Sequence, residues 1–320
     1  MQVPLIAIGR IHRNQRYRHR NFATLESEAN AILAKELLHK ETEMSQESEP
    51  TNAASSNNAA NAVNTQAAAT AKAAARTAVV TGASSGIGAA TVRKLTAEGW
   101  TVFALARRES KLDALASETG CTPIATDITD EESTQSAVDR ILAAGPVKAL
   151  VNCAGGAIGK DPVATANLDD WRAMYELNVL GTLRITQKLL PALKESSGSV
   201  LVISSTAGIE PYEGGAGYCA AKFAERVMAR VLRLELIGEP VRVIDIAPGM
   251  VHTDEFAIKR FHGDAAKAAA VYEGVPDPLT AEDIAECVRW ALEQPDTVDV
   301  DQIVVRPRAE GSYTKVYRQQ

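Results

Sequence analysis

The chain has few aromatics and no long apolar run. Phe, Trp and Tyr make up 5% of its 320 residues, and nowhere do the roughly 18 consecutive apolar residues of a membrane-spanning helix occur. The apolar stretches therefore read as buried strands of ordinary length. The four cysteines, Cys121, Cys153, Cys219 and Cys287, have neither metal-ligand spacing nor a disulfide framework. They read as buried thiols in a reducing compartment, the cytoplasm, and no metal is expected. A dominant charge is missing too. Lys and Arg number 34 against 40 Asp and Glu, a formal net charge of −6, and the signs are interspersed after residue 80, which argues against a nucleic-acid footprint. A soluble protein with a small-molecule partner, and with neither nucleic acid nor membrane as partner, fits this balance.

What is present is apolar material, 46% of the chain, enough for one α/β core of roughly 250 residues with chain left over. Residues 1–75 stand apart. Arg10, Arg13, Arg16, Arg18 and Arg20 precede the first acidic residue, Glu26, a pattern that suits either a transit peptide or an upstream start ahead of Met44. Ser45 to Ala75 is Ala, Asn, Ser and Thr with little to bury, so a disordered low-complexity extension is expected. The expected domain spans 76–310, with a C-terminal tail at 311–320.

After Arg76 short β-branched runs alternate with helical patterns. Strands are predicted at Thr77 to Thr81, Thr101 to Ala106, Thr122 to Thr126, Lys148 to Asn152, Ser199 to Ser204, Val241 to Ala247 and Gln302 to Val305. Between them lie a helix carrying Ile87, Val92 and Leu95 and further helices at Lys111 to Ser117, Glu131 to Ala143, Leu168 to Lys194, Gly217 to Ile237 and Ala281 to Glu293. This rhythm implies right-handed βαβ crossovers and a doubly wound, Rossmann-like parallel sheet of about seven strands with helices on both faces.

Gly82, Ser84, Ser85, Gly86, Ile87 and Gly88 lie in the turn between the first strand and first helix, where an open α/β sheet takes a dinucleotide. Glycines let backbone approach a pyrophosphate, and the helix N-terminus offers free N–H groups and partial positive charge. The spacing is G-x-x-x-G-x-G, not the common G-x-G-x-x-G. In this it resembles the cofactor turn of the short-chain dehydrogenase/reductase family, and the resemblance runs from Thr77 to near Pro307. At the end of the second strand, where NAD enzymes place a carboxylate for the ribose hydroxyls, stand Ala106, Arg107 and Arg108. Guanidinium groups suit a 2′-phosphate, so NADP is the expected cofactor. The resemblance further implies cofactor contacts from Asp127 and Ile128, from Asn152, Ala154 and Gly155, and from Pro248, Gly249, Val251 and Thr253. Cys153 departs from the family's Asn-Asn-Ala-Gly segment.

Tyr218 and Lys222 are four apart in a helical pattern and so share a face. With Ser205 and Asn178 they match, in order, the family's Asn-Ser-Tyr-Lys tetrad. The residue types suit the chemistry. Tyrosine, with a free pKa of about 10, is a poor base near neutrality, and the Lys222 ammonium would favour its phenolate. Tyr218 would exchange the substrate proton, Ser205 would hydrogen-bond the reacting oxygen, and Asn178 would support a proton relay from Lys222. Both Tyr218 and Lys222 also belong to the cofactor contacts.

Glu210 to Tyr218, Phe256 to Asp264 and Leu279 to Ile284 resemble the NADP-dependent serine and 3-hydroxy-acid dehydrogenase branch. A small hydroxy acid such as serine or 3-hydroxyisobutyrate is the implied substrate, held by Ser205, Tyr218 and, among Lys259, Arg260 and His262, by Arg260 at its carboxylate. A broad ketone and aldehyde reductase and a catalytically silent NADP sensor are the alternatives. Met174, Leu177, Leu180, Leu183, Val227, Val231 and Leu234 are candidate core or interface residues, and the resemblance implies a homotetramer.

Overall fold

The structure, a computed structural model, describes residues 76–253 and 255–319; the expected extension at 1–75 lies outside them. Seven parallel strands form one sheet: β1 (Thr77–Thr81), β2 (Thr101–Ala106), β3 (Thr122–Ala125), β4 (Ala149–Asn152), β5 (Ser199–Ile203), β6 (Arg242–Pro248) and β7 (Gln302–Val305). Their order is β3-β2-β1-β4-β5-β6-β7, so the winding reverses between β1 and β4.

Alternation along the strands feeds two cores. Ala78 and Val80 of β1 join Val92 and Leu95 of α1 (Gly86–Ala97), Leu112 of α2 (Glu109–Thr119) and Ile284 and Val288 of α9 (Ala281–Leu292) on one face. Val79 points the other way, to Val138 and Ile141 of α3 (Glu131–Ala144), Ile185 and Leu189 of α5 (Thr182–Glu195) and Ala229 of α6 (Ala216–Glu235). Both faces are covered, as near-continuous apolar strands require.

The predicted strands agree with the observed ones to within about a residue at each end, the usual scatter at element boundaries. Three departures are larger. The single helix expected over Leu168 to Lys194 is broken into α4 (Leu168–Tyr175), a π-helical segment Glu176–Gly181, and α5. The Asn178 side chain donates to Met174 O at 2.7 Å, competing for a carbonyl of the helical ladder, a local cause of widening. The stretch after Thr253, where no helix was predicted, holds α7 (Phe256–Arg260) and α8 (Ala265–Ala270). The expected tail instead forms an antiparallel hairpin of β8 (Glu310–Ser312) and β9 (Lys315–Val316), and Gln319 N reaches Gly274 O at 2.6 Å.

Of the candidate interface residues, Met174 is buried, Leu177 and Leu183 are half-buried, and Leu180, Val227, Val231 and Leu234 are exposed. All four cysteines are free thiols. No helix of the described residues is long and apolar enough to cross a membrane.

Candidate active site

A cleft of about 1070 Å³ opens along the carboxyl ends of the strands at the switch point, where open α/β sheets take their ligands. Its floor is the β1–α1 turn. Gly82 sits at φ +67°, and a Cβ there would come within 2.8 Å of Ala154 Cα. A Cβ on Gly88 would lie 2.3 Å from Gly82 O, so both positions need the missing side chain. Thr81 Oγ1 accepts from Cys153 N and Ala154 N, both at 3.0 Å, pinning the β4 loop beside the turn. Ser85, the N-cap of α1, makes no side-chain capping bond. The first N–H groups of α1 thus remain for an anion.

The two arginines after β2 differ. Arg108 lies over the turn, its Nη2 donating to Ser84 Oγ at 2.7 Å and Ser85 Oγ at 3.0 Å. Its Nη1 meets the Glu255 carboxylate at 2.6 Å, which Lys111 and Lys259 also contact. Burial raises the Glu255 carboxyl, but the hydrogen bonds from Arg108, Lys111 and Lys259 outweigh it and hold it well below the usual carboxylate range. Arg107 is mostly exposed, 4.0 Å from Asp127 Oδ2. Asp127 accepts from Thr129 N and Thr129 Oγ1 at 3.0 and 2.7 Å, and those bonds overcome its burial to lower its pKa. A glycine turn without room for Cβ atoms, a free helix N-terminus and a guanidinium above them together fit a phosphorylated dinucleotide.

Ser205 follows β5. Its Oγ accepts from Ala207 N at 3.1 Å and donates to Pro248 O at 3.4 Å. Tyr218 and Lys222 project from the first turns of α6 into the same cleft. The Tyr218 ring meets Phe256 edge-on at 5.8 Å between centroids. Lys222 Nζ donates to Ile203 O at 3.0 Å and to Glu225 Oε2 at 2.6 Å. Desolvation works to lower the Lys222 pKa, but the charges of Glu225 and Tyr218 carry it above its ordinary value. Burial pushes the neighbouring Cys153 thiol up to about 12, so it stays protonated.

Ile87, Ile128, Gly155, Pro248, Gly249, Val251 and Thr253 also line the cleft. Two expected residues do not. Asn152 is buried and donates to Thr186 Oγ1 at 3.1 Å, tying β4 to α5. Asn178, fully buried, donates to Gly156 O at 3.0 Å and accepts from Gly156 N at 3.0 Å, holding the β4 loop in place.

The far wall comes from segments distant in sequence. Arg260 on α7 is only 7% exposed, and its Nε and Nη2 have no partner among the described residues. Its guanidinium lies 5.3 Å from the Tyr212 ring and 5.9 Å from the Tyr218 ring. Tyr313, from the C-terminal hairpin, stacks on Tyr212 at 3.4 Å, and buried Glu310 accepts from Met250 N at 2.7 Å. Tyr212 lies in the stretch Glu210 to Tyr218 already singled out, but sequence reasoning missed Glu310 and Tyr313, for no local pattern foretells which tail folds back. It also missed Glu225 and Glu255, although three-residue spacing from Lys222 marks Glu225 as sharing its face.

Fold, phosphate turn and Ser-Tyr-Lys cleft define a nucleotide-dependent oxidoreductase. The family model described as short chain dehydrogenase matches residues 76–261. An uncharacterized oxidoreductase of Mycobacterium tuberculosis is 50% identical over 241 residues, covering 75% of this chain and 94% of that protein. Serine 3-dehydrogenase of Agrobacterium fabrum is 41% identical over 238 residues, covering 72% and 93%. A solved closed form of serine dehydrogenase complexed with NADP+ superposes with a TM-score of 0.70 at 34% identity, over 76% of this chain and all of that one. The chain belongs to the short-chain dehydrogenase/reductase family, acts on CH–OH donors, and its cofactor is NADP.

Proposed function

We propose that the protein interconverts a small 3-hydroxy acid, such as serine or 3-hydroxyisobutyrate, and its carbonyl form. The observation that carries this reading is Arg260: a nearly buried guanidinium with two nitrogens that have no partner among the described residues, in the cleft that holds Tyr218. Buried charged donors left unpaired are costly, and a bound carboxylate is the fork-shaped acceptor that fits them. A general ketone reductase would leave that group unmatched with substrate bound, and a silent cofactor sensor would not need Ser205, Tyr218 and Lys222 in one cleft. The likeness to serine 3-dehydrogenase supports the same substrate class.

Bound NADP supplies the hydride acceptor for oxidation and, reduced, the donor for the reverse. The turn Gly82 to Gly88 and the α1 N-terminus would hold its pyrophosphate, Arg107 and Arg108 its 2′-phosphate, Asp127 and Ile128 its adenine end, and Pro248 to Thr253 its nicotinamide side. The chain's own residues do the rest. Tyr218 takes the hydroxyl proton in oxidation and returns it in reduction. Lys222 provides the cation that favours the phenolate. Ser205 hydrogen-bonds the reacting oxygen and steadies its changing charge. Arg260 fixes the other end, which restricts the substrate to one orientation before hydride moves. Phe256 and Tyr212 wall the space between.

Exposed Leu180, Phe223, Val227, Val231 and Leu234 form an apolar surface suited to helix pairing between copies, and we assign the assembly as a cytoplasmic homotetramer; sedimentation at micromolar concentration checks it. For the activity, NADP reduction with L-serine, 3-hydroxyisobutyrate and 3-hydroxypropionate is compared with uncharged alcohols and ketones of equal size. The expected result is a preference of at least tenfold, roughly 1.4 kcal/mol, for the acids. Equal rates on charged and neutral compounds would remove the reading.

A further inference from the structure

Lys222 works from a buried position, 4% exposed. Desolvation disfavours an ammonium there, and a neutral Lys222 could not steady a phenolate on Tyr218. One turn further along α6, Glu225 is 1% exposed. Its Oε2 accepts from Lys222 Nζ at 2.6 Å, and its Oε1 lies 3.4 Å from Thr182 Oγ1 at the start of α5. Among the described residues Glu225 is the carboxylate that pairs with Lys222.

The other groups around the pair are accounted for. Asn178, expected to support a proton relay from Lys222, has its side-chain amide bonded to Met174 O and to both backbone groups of Gly156. On β6, Asp245 is held by Ser204, by Arg226 Nε at 3.1 Å and by Gln302 Nε2 at 2.7 Å, so its charge is matched by Arg226. From the β4 side comes the Cys153 thiol, which stays neutral, and from the same helix Tyr218. Glu225 does not line the cleft; anything it does for the reaction passes through Lys222.

We infer that Glu225 is a positioning residue for hydride transfer, a carboxylate that keeps Lys222 charged and fixed behind Tyr218. The inference rests on the reading of Tyr218 and Lys222 as the acid–base pair. It has a pH signature. With Glu225 in place, Lys222 keeps its proton above the ordinary lysine range. Without it, burial acts alone and the proton leaves at lower pH. The carboxyl itself is pushed up to about 7 by its burial against the pull of Lys222, so it faces Lys222 as an anion over the alkaline range in which the limb is read.

The test is the pH dependence of kcat for Glu225→Gln and Glu225→Asp, with NADPH affinity measured by fluorescence at pH about 6.5. For Glu225→Gln the alkaline limb of kcat should move down by about one pH unit or more. One pH unit above that shifted limb, kcat should stand about tenfold below its own plateau, while NADPH affinity stays within about threefold of the parent. Glu225→Asp should recover part of both losses. An alkaline limb that does not move in a folded Glu225→Gln protein overturns the inference, as does an Asp variant no better than Gln. If Glu225→Gln does not fold, Glu225→Asp against the parent decides: a downward limb supports the inference and an unmoved one overturns it. Lys222→Met separates the two levels. Normal turnover in that variant would remove the Tyr218–Lys222 reading itself; loss of turnover there, with an unmoved limb in Glu225→Gln, would remove only the part played by Glu225.

Discussion

Replacing Arg260 by Met tests the substrate reading through two quantities that should move in opposite directions. In the free enzyme the guanidinium is 7% exposed, with Nε and Nη2 unpartnered among the described residues. A buried polar group left in that state costs about 1–3 kcal/mol, more when charged. The Tyr212 and Tyr218 rings, at 5.3 and 5.9 Å, return about 0.5–1 kcal/mol each. A net penalty of roughly 1 kcal/mol therefore resides at Arg260, and methionine, of similar reach and without the charge, should relieve it. For a domain of this size that corresponds to a Tm unchanged or raised by about 2–4 °C. Substrate binding should suffer. Two charge-assisted hydrogen bonds to a carboxylate, at about 1.5–3 kcal/mol each, exceed 3 kcal/mol together. The kcat/KM for a 3-hydroxy acid should then drop by about a hundredfold or more, and that for a neutral alcohol of the same size by less than about threefold. Arg260→Lys, which keeps the charge and loses the fork, should fall between. Thermal melts and steady-state rates on both substrate types read the two predictions. A large drop in Tm, or equal losses on acid and alcohol, would show that Arg260 holds the wall together and does not read a carboxylate.

Tyr218→Phe should lower turnover by several orders of magnitude while NADPH fluorescence titration stays near the parent, because the ring still packs and only the proton is lost. Arg108→Ala should weaken NADPH by roughly 1.5–3 kcal/mol, the value of hydrogen bonds to a charged group, and Arg107→Ala by less, since Arg108 lies over the turn while Arg107 is mostly exposed; the reverse order would make Arg107 the reader. Glu255→Gln removes the anion now paired with Arg108 and should tighten NADPH severalfold, whereas weaker binding would make Glu255 part of the cofactor's own support. The depressed Glu255 carboxyl contributes stability that is present above the ordinary glutamate pKa and is lost as pH falls through its lower folded value, so the parent should lose more Tm than Glu255→Gln below pH about 4.

The seven-strand parallel sheet, the phosphate turn and the order Ser205, Tyr218, Lys222 were legible in the sequence because each rests on local or periodic signals. Alternating apolar runs fix strand and helix, glycines mark a turn that only they can make, and four-residue spacing puts two side chains on one helix face. The choice of arginine over carboxylate after β2 was local in the same way. Tertiary structure decided what chain order does not encode. It bonded the Asn178 side chain to the β4 loop, through a π-helical widening that an apolar pattern cannot show. It set Glu255, from beyond β6, against Arg108, and it buried the Lys222–Glu225 pair, whose three-residue spacing is local but whose burial is not. It buried Arg260 beside Tyr218 and brought Tyr313, from what had read as a tail, onto Tyr212. Long-range packing assigns those contacts: a charge's surroundings depend on which distant segment covers it, and that is settled only when the whole sheet and its loops have closed.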